Sequence, residues 1–319
     1  MKKVSIIIVN WNGKQYLEDC IKSLIEQNYN DCEIIVVDNN STDGSENVVK
    51  KFKGVKLIKN SDNLGNAEGT NVGIRNARGD YIIRLDNDTK VNKDFVKELV
   101  KVADKNESIG MLAGKMIFYD NPDLINSTGL EVYDDGSVVD KNIKKKNNGF
   151  DEVEEIFAPC GGSAFYKKEA LEKIKEIDGD YFDSDFKFYY EDADVGFRIR
   201  HLGYQCFYVP NAVAFHKVNA STKKVKDLRI YYGIRNKVFF IIKNYPKRVI
   251  LGSIVKIILK QILSTFYYLL KGKFIVIKAR VDILRGFGLM MNKRKRINPD
   301  NSKFNFPLKK NSLFNPLFN

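Results

Sequence analysis

The chain has 319 residues, 44% of them hydrophobic and 29% charged, the balance of a globular protein long enough for one large domain or two smaller ones. Its four cysteines, Cys20, Cys32, Cys160 and Cys206, are scattered without CxxC spacing, which argues against a zinc ribbon or a disulfide framework and fits a reducing cytosol. The formal charge of +13 is uneven, because residues 217–319 hold 24 Lys and Arg against three acids while residues 1–216 carry −8; such asymmetry points to an anionic surface, either membrane lipid or nucleic acid.

The opening MKKVSIIIVNWNG sets two lysines before an apolar run. That run is too short for a signal-peptide core and instead predicts a strand over Val4–Val9, covered on both faces. Asn10 to Gly13 make a turn. Tyr16, Leu17, Cys20, Ile21, Leu24 and Ile25 then recur at helical spacing. Glu33–Val37 predicts a second strand with Asp38 at its end, and Ser41 or Thr42 are N-cap candidates for the helix that follows. Val55–Ile58 is a third strand. Gly65 to Ala77, rich in small residues, leads through a helix to Gly79 and a fourth strand, Tyr81–Leu85, and Phe95–Val102 is helical again. Strands and helices in alternation imply βαβ units and a parallel sheet. Ligands of such sheets sit beyond the carboxyl ends of the strands, where Asn10, Asp38 and Asp86 all fall.

Past the fourth strand stand Asp86, Asn87 and Asp88. Asp and Asn favour turns by bonding their own backbone. Two carboxylates at spacing two beyond a buried strand also suit one hard cation, Mg²⁺ or Mn²⁺, with coordination positions left for a diphosphate. The stretch 131–155 predicts a surface loop or hairpin without chemistry. In CGGSAF, residues 160–165, small residues either form a tight turn or let backbone approach a ligand closely. Glu191, Asp192 and Asp194 open a predicted helix, where acids complement the helix dipole; a transferase also needs a proton acceptor of this kind. Gly203 to His216 is a return strand with a turn at Pro210 and Asn211, and it ends on one of only two histidines in the chain.

SIIIVNWNG, VVDNNSTDGS, NLGNAEGTNVGIRNARGDYIIRLDND, FYYEDADVGFRIRHLGY and YVPNAVAFH, in that order, resemble the family 2 glycosyltransferases, most of all the rhamnosyltransferase-like branch, over roughly residues 1–245. The resemblance implies an α/β chain with the GT-A fold, a nucleotide-binding αβα sandwich, and sugar transfer with inversion. It implies that Asn10 and Asp38 hold the base and ribose, that Asn66 and Asn71 lie in the segment lining the nucleotide pocket, and that Asp86 and Asp88 form the DxD metal pair, with Asp86 nearer the ribose and diphosphate. It further implies Asp192 as catalytic base, His216 as an additional metal ligand and Arg235, in YYGIRN, as a contact of the donor phosphates. The implied partners are a UDP- or dTDP-sugar, Mg²⁺ or Mn²⁺, and a glycan or lipid-linked acceptor in cell-surface polysaccharide or glycolipid synthesis. CGGSAFYKK departs from the family, many of whose members carry a bulkier residue and an arginine there, which bears on donor and acceptor identity rather than on reaction type.

Residues 249–271 are long enough to span a membrane. Ser253, Lys256, Lys260, Ser264 and Lys271, however, fall on one helical face with Ile, Leu and Val opposite. Lysines at the centre of a span are costly. The pattern therefore predicts an interfacial helix, or one whose apolar face packs on the catalytic domain. With Lys293–Arg296 nearby, the expectation is a catalytic domain over 1–245, an amphipathic membrane-associating extension over 246–297 and a flexible tail over 298–319, peripheral on the cytosolic face of the membrane and without nucleic acid as partner. Two other classes stand beside this one. A nucleotidyltransferase on a similar sandwich would carry a glycine- and basic-rich loop after the first strand, which VNWNGKQ matches poorly. A non-enzymatic membrane- or RNA-associated protein would have no need of Asp192.

Overall fold

The apolar run at the N-terminus forms β1 (Val4–Asn10) in the computed structural model, which describes residues 2–217, 226–304 and 306–311. In chain order come α1 (Lys14–Ile25), β2 (Cys32–Asp38), α2 (Ser45–Val49), β3 (Val55–Lys59), α3 (Gly65–Arg75), β4 (Tyr81–Asp86), β5 (Thr89–Val91) and α4 (Phe95–Ala103). The middle holds β6 (Ile109–Phe118), β7 (Asn121–Ser127), β8 (Leu130–Val132), β9 (Val138–Asp140), β10 (Glu154–Glu155), β11 (Ser163–Lys167) and α5 (Lys168–Asp178). Then follow α6 (Glu191–His201), β12 (Gln205–His216), α7 (Lys226–Asn244), α8 (Lys247–Leu270) and α9 (Ile275–Ile297).

The main sheet runs β10-β12-β6-β11-β4-β1-β2-β3, with β5 on β12 and β7 on β6. β3, β2, β1 and β4 are parallel, as the alternation of strands and helices requires, while β11 enters antiparallel between β4 and β6. Successive strand residues point to opposite faces, so β1 feeds both cores. Val4, Ile6 and Ile8 pack with Leu17, Ile21 and Leu24 of α1 and with Phe95 and Leu99 of α4. Ile7 packs on the other face with Ala67 and Ile74 of α3 and with Leu171 and Ile174 of α5. Helices on both faces of one sheet make the αβα sandwich.

Three local expectations are corrected. Pro210 and Asn211 do not turn the chain; β12 runs through them with a register shift between Val209 and Val213, because a proline lacks the ladder donor and is accommodated at a bulge. Neither Ser41 nor Thr42 caps α2, which starts at Ser45. Instead, the Ser41 hydroxyl accepts from the Asn12 N–H at 2.9 Å. The first part of the expected tail is packed, since Phe304 stacks on Phe197 at 4.7 Å between ring centroids and Pro299 is buried; Asn305 and residues 312–319 lie outside the described residues.

Candidate active site

Strand register assembles the rim. Asn10 is paired with Asp38 across β1 and β2, and Val9 with Asp86 across β1 and β4, so three polar strand ends meet where β1 lies between oppositely wound neighbours, the usual ligand crevice of such sheets. Asn10 is fully buried. Its amide donates to Asp38 Oδ1 at 2.9 Å and to Ser41 Oγ at 3.1 Å, and its carbonyl oxygen accepts from Asn87 at 2.7 Å. Asp38 in turn accepts from the Ser41 N–H at 2.9 Å. Asn87, between Asp86 and Asp88, therefore serves the rim from within.

β12 brings the second group. His216 pairs with Thr89 of β5, which sets the imidazole beside Asp88. Nε2 lies 3.1 Å from Asp88 Oδ1 and 3.9 Å from Asp86 Oδ2, and one ligand atom from each of the three residues falls within 4.8 Å of the others. The other ring nitrogen, Nδ1, is 3.0 Å from Asn126 Oδ1. An amide oxygen only accepts, so Nδ1 donates to it and Nε2 is left facing the carboxylates, as in metal-binding histidines, whose second ring nitrogen is held by such a partner. Two carboxylates and an imidazole suit Mn²⁺ or Mg²⁺. Burial works against charging His216, but the hydrogen bond and charge of Asp88, with Asp86 behind it, raise its pKa.

Arg84 joins this rim to the acids of α6. It is buried, lies two residues before Asp86 and therefore shares its strand face. Its Nη2 donates to Asp86 Oδ1 at 3.0 Å and lies 4.0 Å from Glu191 Oε1. Asp192 accepts from the Gly161 N–H at 3.0 Å and the Ala193 N–H at 2.8 Å. The glycines of CGGSAF now have a physical cause: a Cβ at Gly161 would collide with Arg84 Nη1, and one at Gly162 would crowd Met116. Burial pushes Glu191 up to about 7, helped by the charge of Asp192 and opposed by Arg84. Asp192 is also raised by burial, with Arg84 and the Gly161 N–H holding it down.

Two of the expected residues are engaged elsewhere. Asn71 spends its amide on the backbone of Phe182, donating to its carbonyl and accepting from its N–H, each at 2.8 Å. Arg235 donates to the carbonyls of Asp185 and Phe186 and so braces the loop that leads to Asp192. Asn66 meets the same loop, its backbone N–H donating to the Lys187 carbonyl at 2.8 Å. That loop, residues 182–190, leads straight into Asp192 and holds Lys187, Tyr189 and Tyr190 at positive φ, costly for side chains of this size. Asn236 secures it by donating to the carbonyls of Phe186, Phe188 and Tyr189 at 2.7–2.8 Å. Behind it, the fully buried Lys243 lies 2.8 Å from Asp178 and 3.0 Å from Asp194 and also bonds Asp183, which Lys293 of α9 holds from the other side.

The stretch 131–155, expected to be without chemistry, reaches the cleft. Asp140, at the end of β9, is raised to about 6 by burial, opposed by a Ser127 hydrogen bond, with the charges of Asp192 and Asp86 adding to the rise. The second histidine is structural: His201 Nε2 is 3.0 Å from the Asn244 carbonyl, and burial lowers its pKa to about 4.

A model of the family described as Glycosyl transferase family 2 matches residues 5–175. The chain belongs to that family. Among its relatives, an uncharacterized glycosyltransferase of Haemophilus influenzae is 34% identical over 110 residues, 33% of this chain and 34% of the relative. The chain thus matches about a third of that protein's own length. The uncharacterized glycosyltransferase YfnE of Bacillus subtilis is 26% identical over 269 residues, 71% of this chain and 68% of the relative. Among solved structures, the mannosyltransferase PcManGT from Pyrobaculum calidifontis, in complex with GDP-Man and Mn²⁺, aligns with a TM-score of 0.57 at 15% identity over 94% of this chain and 86% of that one. The likeness shows the GT-A fold.

Proposed function

We propose that the family 2 chain is an inverting, metal-dependent glycosyltransferase. It moves a sugar from a UDP- or dTDP-sugar to a hydroxyl of a glycan or lipid-linked acceptor, in the synthesis of cell-surface polysaccharide or glycolipid. The observation that carries this reading is the Arg84 guanidinium, which touches Asp86 of the metal rim and lies 4.0 Å from Glu191, next to Asp192. One buried cation thus ties the candidate base to the candidate metal ligands. The fold neighbour's complex with GDP-Man and Mn²⁺ supports a nucleotide-sugar donor and a divalent ion.

Asn10 and Asp38 hold the base and ribose end of the donor at the β1–β2 rim. Asp86, Asp88 and His216 would hold Mg²⁺ or Mn²⁺, which when bound neutralises charge on the leaving diphosphate, an effect worth several kcal/mol. Asp192 takes the proton of the acceptor hydroxyl. The hydroxyl oxygen bonds to the anomeric carbon as the bond from that carbon to the diphosphate oxygen breaks, and the centre inverts as in inverting glycosidases, with an alcohol in place of water. A positioned base supplies about 10²–10⁴ in rate. The catalytic domain spans 1–245, and the extension over 246–297 keeps the enzyme peripheral on the cytosolic membrane face, where a lipid-linked acceptor would be found.

A thermal-shift screen of nucleotide sugars with and without Mn²⁺ tests the reading, because a ligand of the native state raises stability. One donor should raise the melting temperature, and only with the metal. No shift from any nucleotide sugar, with or without metal, contradicts it.

A further inference from the structure

Helix α8 is inverted relative to an ordinary surface helix, because its polar side faces the protein. Ser253 donates to Asp134 Oδ2 at 3.1 Å, Lys256 Nζ donates to Asp134 Oδ1 at 2.7 Å, and Lys260 Nζ lies 2.8 Å from Asp135 Oδ2. Both aspartates stand in the turn of the β8–β9 hairpin. Ser264 accepts from Arg280 of α9 at 2.8 Å. The apolar side faces outward: Leu251 is 73% exposed, Phe266 62% and Leu270 88%, with Val255, Ile258 and Ile262 exposed between them. These positions recur every three or four residues and so form one stripe. From Leu251 to Leu270 the only charged residues are Lys256 and Lys260, both turned toward carboxylates of the catalytic domain. The pattern continues through Phe274 onto α9, where Ile277, Val281 and Leu284 are exposed at the same spacing. So many large apolar side chains in one stripe mark an interaction surface.

We infer that this stripe is seated on a bilayer containing anionic lipid, with α8 lying flat in the headgroup boundary rather than crossing the membrane. The charge around the stripe selects the occupant. Lys247 and Arg248 are exposed before it, Lys271 after it, and Lys278, Arg285, Lys295 and Arg296 along α9. An apolar stripe with basic ends is the form that anionic interfaces take up, whereas a second copy would bring one basic surface against another. The pose follows from the lysines. With 24 residues, α8 is long and apolar enough to span, but a crossing would either strip Lys256 and Lys260 of their partners in hydrocarbon or drag Asp134 and Asp135 in with them. The inference rests on the membrane part of the proposed function and not on the reaction.

The test is sedimentation of the full chain with vesicles of phosphatidylcholine alone and of phosphatidylcholine with phosphatidylglycerol, each pellet then washed in alkaline carbonate. The protein should pellet with the anionic vesicles, less so at high salt, and be released by carbonate. Val255→Asp combined with Ile262→Asp should weaken binding about tenfold or more while the melting temperature and its donor-dependent rise stay as in the wild type. Lys247→Glu combined with Arg248→Glu should remove much of the preference for anionic vesicles, and it serves alone if the aspartate variant does not fold. Carbonate-resistant protein would overturn the flat pose while leaving membrane association standing. Failure to pellet with either vesicle overturns both, and a dimer in solution dissolved by the aspartate variant then assigns the stripe to a second copy. The donor-dependent thermal shift is read separately, so the reaction stands or falls on its own.

Discussion

The Gly161 backbone N–H donates to Asp192 Oδ2 at 3.0 Å, and the absence of a side chain on that same glycine gives Arg84 the room to reach Asp86. A single small residue thus serves the candidate base and the candidate metal rim together. Glu191 and Asp192 are adjacent acids beside one guanidinium, and the pair does not ionise as free carboxylates do.

The sign of the resulting pH dependence is definite. Glu191 moves from 4.5 in the unfolded chain to about 7 in the fold, so between those values the folded protein binds more protons than the unfolded one. Its contribution to stability is full below the lower value and is lost as pH rises toward the upper. His201, lowered to about 4, pulls the other way over much of the same window, so the Glu191 share is read by difference: the melting temperature of Glu191→Gln relative to the wild type should rise with pH across it. An unchanged slope in the variant would show that Glu191 does not carry the effect.

Metal affinity should run in the opposite direction. Below its raised pKa, His216 is an imidazolium paired with Asp88, a cation where another cation is to bind; above it, Nε2 is available. Calorimetric titration with Mn²⁺ should therefore show affinity increasing with pH. Asn126→Ala, which removes the partner of Nδ1, should weaken Mn²⁺ about 10–100-fold at neutral pH, the usual effect of losing such a support.

Lys243 tests the bracing behind the loop that leads into Asp192. It is fully buried among Asp178, Asp183 and Asp194, so Lys243→Met leaves carboxylates without their shared counter-charge. Breaking a buried pair in this way costs about 3–5 kcal/mol, and urea unfolding should show the loss. A change below about 1 kcal/mol, the range of exposed pairs, would mean that Lys293 on Asp183 and Arg198, whose buried Nε donates to Asp194 at 2.8 Å, suffice.

Much of the fold was legible because β1, β2 and β4 bury both faces and so appear as apolar runs, broken inside β4 only by Arg84. The rim was legible because Asn10, Asp38 and Asp86 end those runs. Arg84 was missed although a signal existed, since a lone base inside YIIRLD, two residues before Asp86, lies on the same strand face as that carboxylate and meets it. Asp140 and Asn126 offered no signal; their importance comes from a hairpin and a strand edge brought to the cleft by long-range pairing. On α8 the polar spacing was visible, but which side met the protein was decided by Asp134 and Asp135, more than a hundred residues away. Asn71 and Arg235 sit in segments beside the site, and the carbonyls they bind belong to a loop whose left-handed residues carry no glycine mark.

The most direct test of the central claim is donor turnover by Asp192→Asn at saturating donor and Mn²⁺, with donor affinity measured on the same sample. Turnover should fall about 10²–10⁴-fold, the contribution of a positioned base, while affinity stays near that of the wild type because Asp86, Asp88 and His216 are untouched. Turnover within a few-fold of the wild type would contradict the assignment of Asp192 as the group that accepts the acceptor's proton.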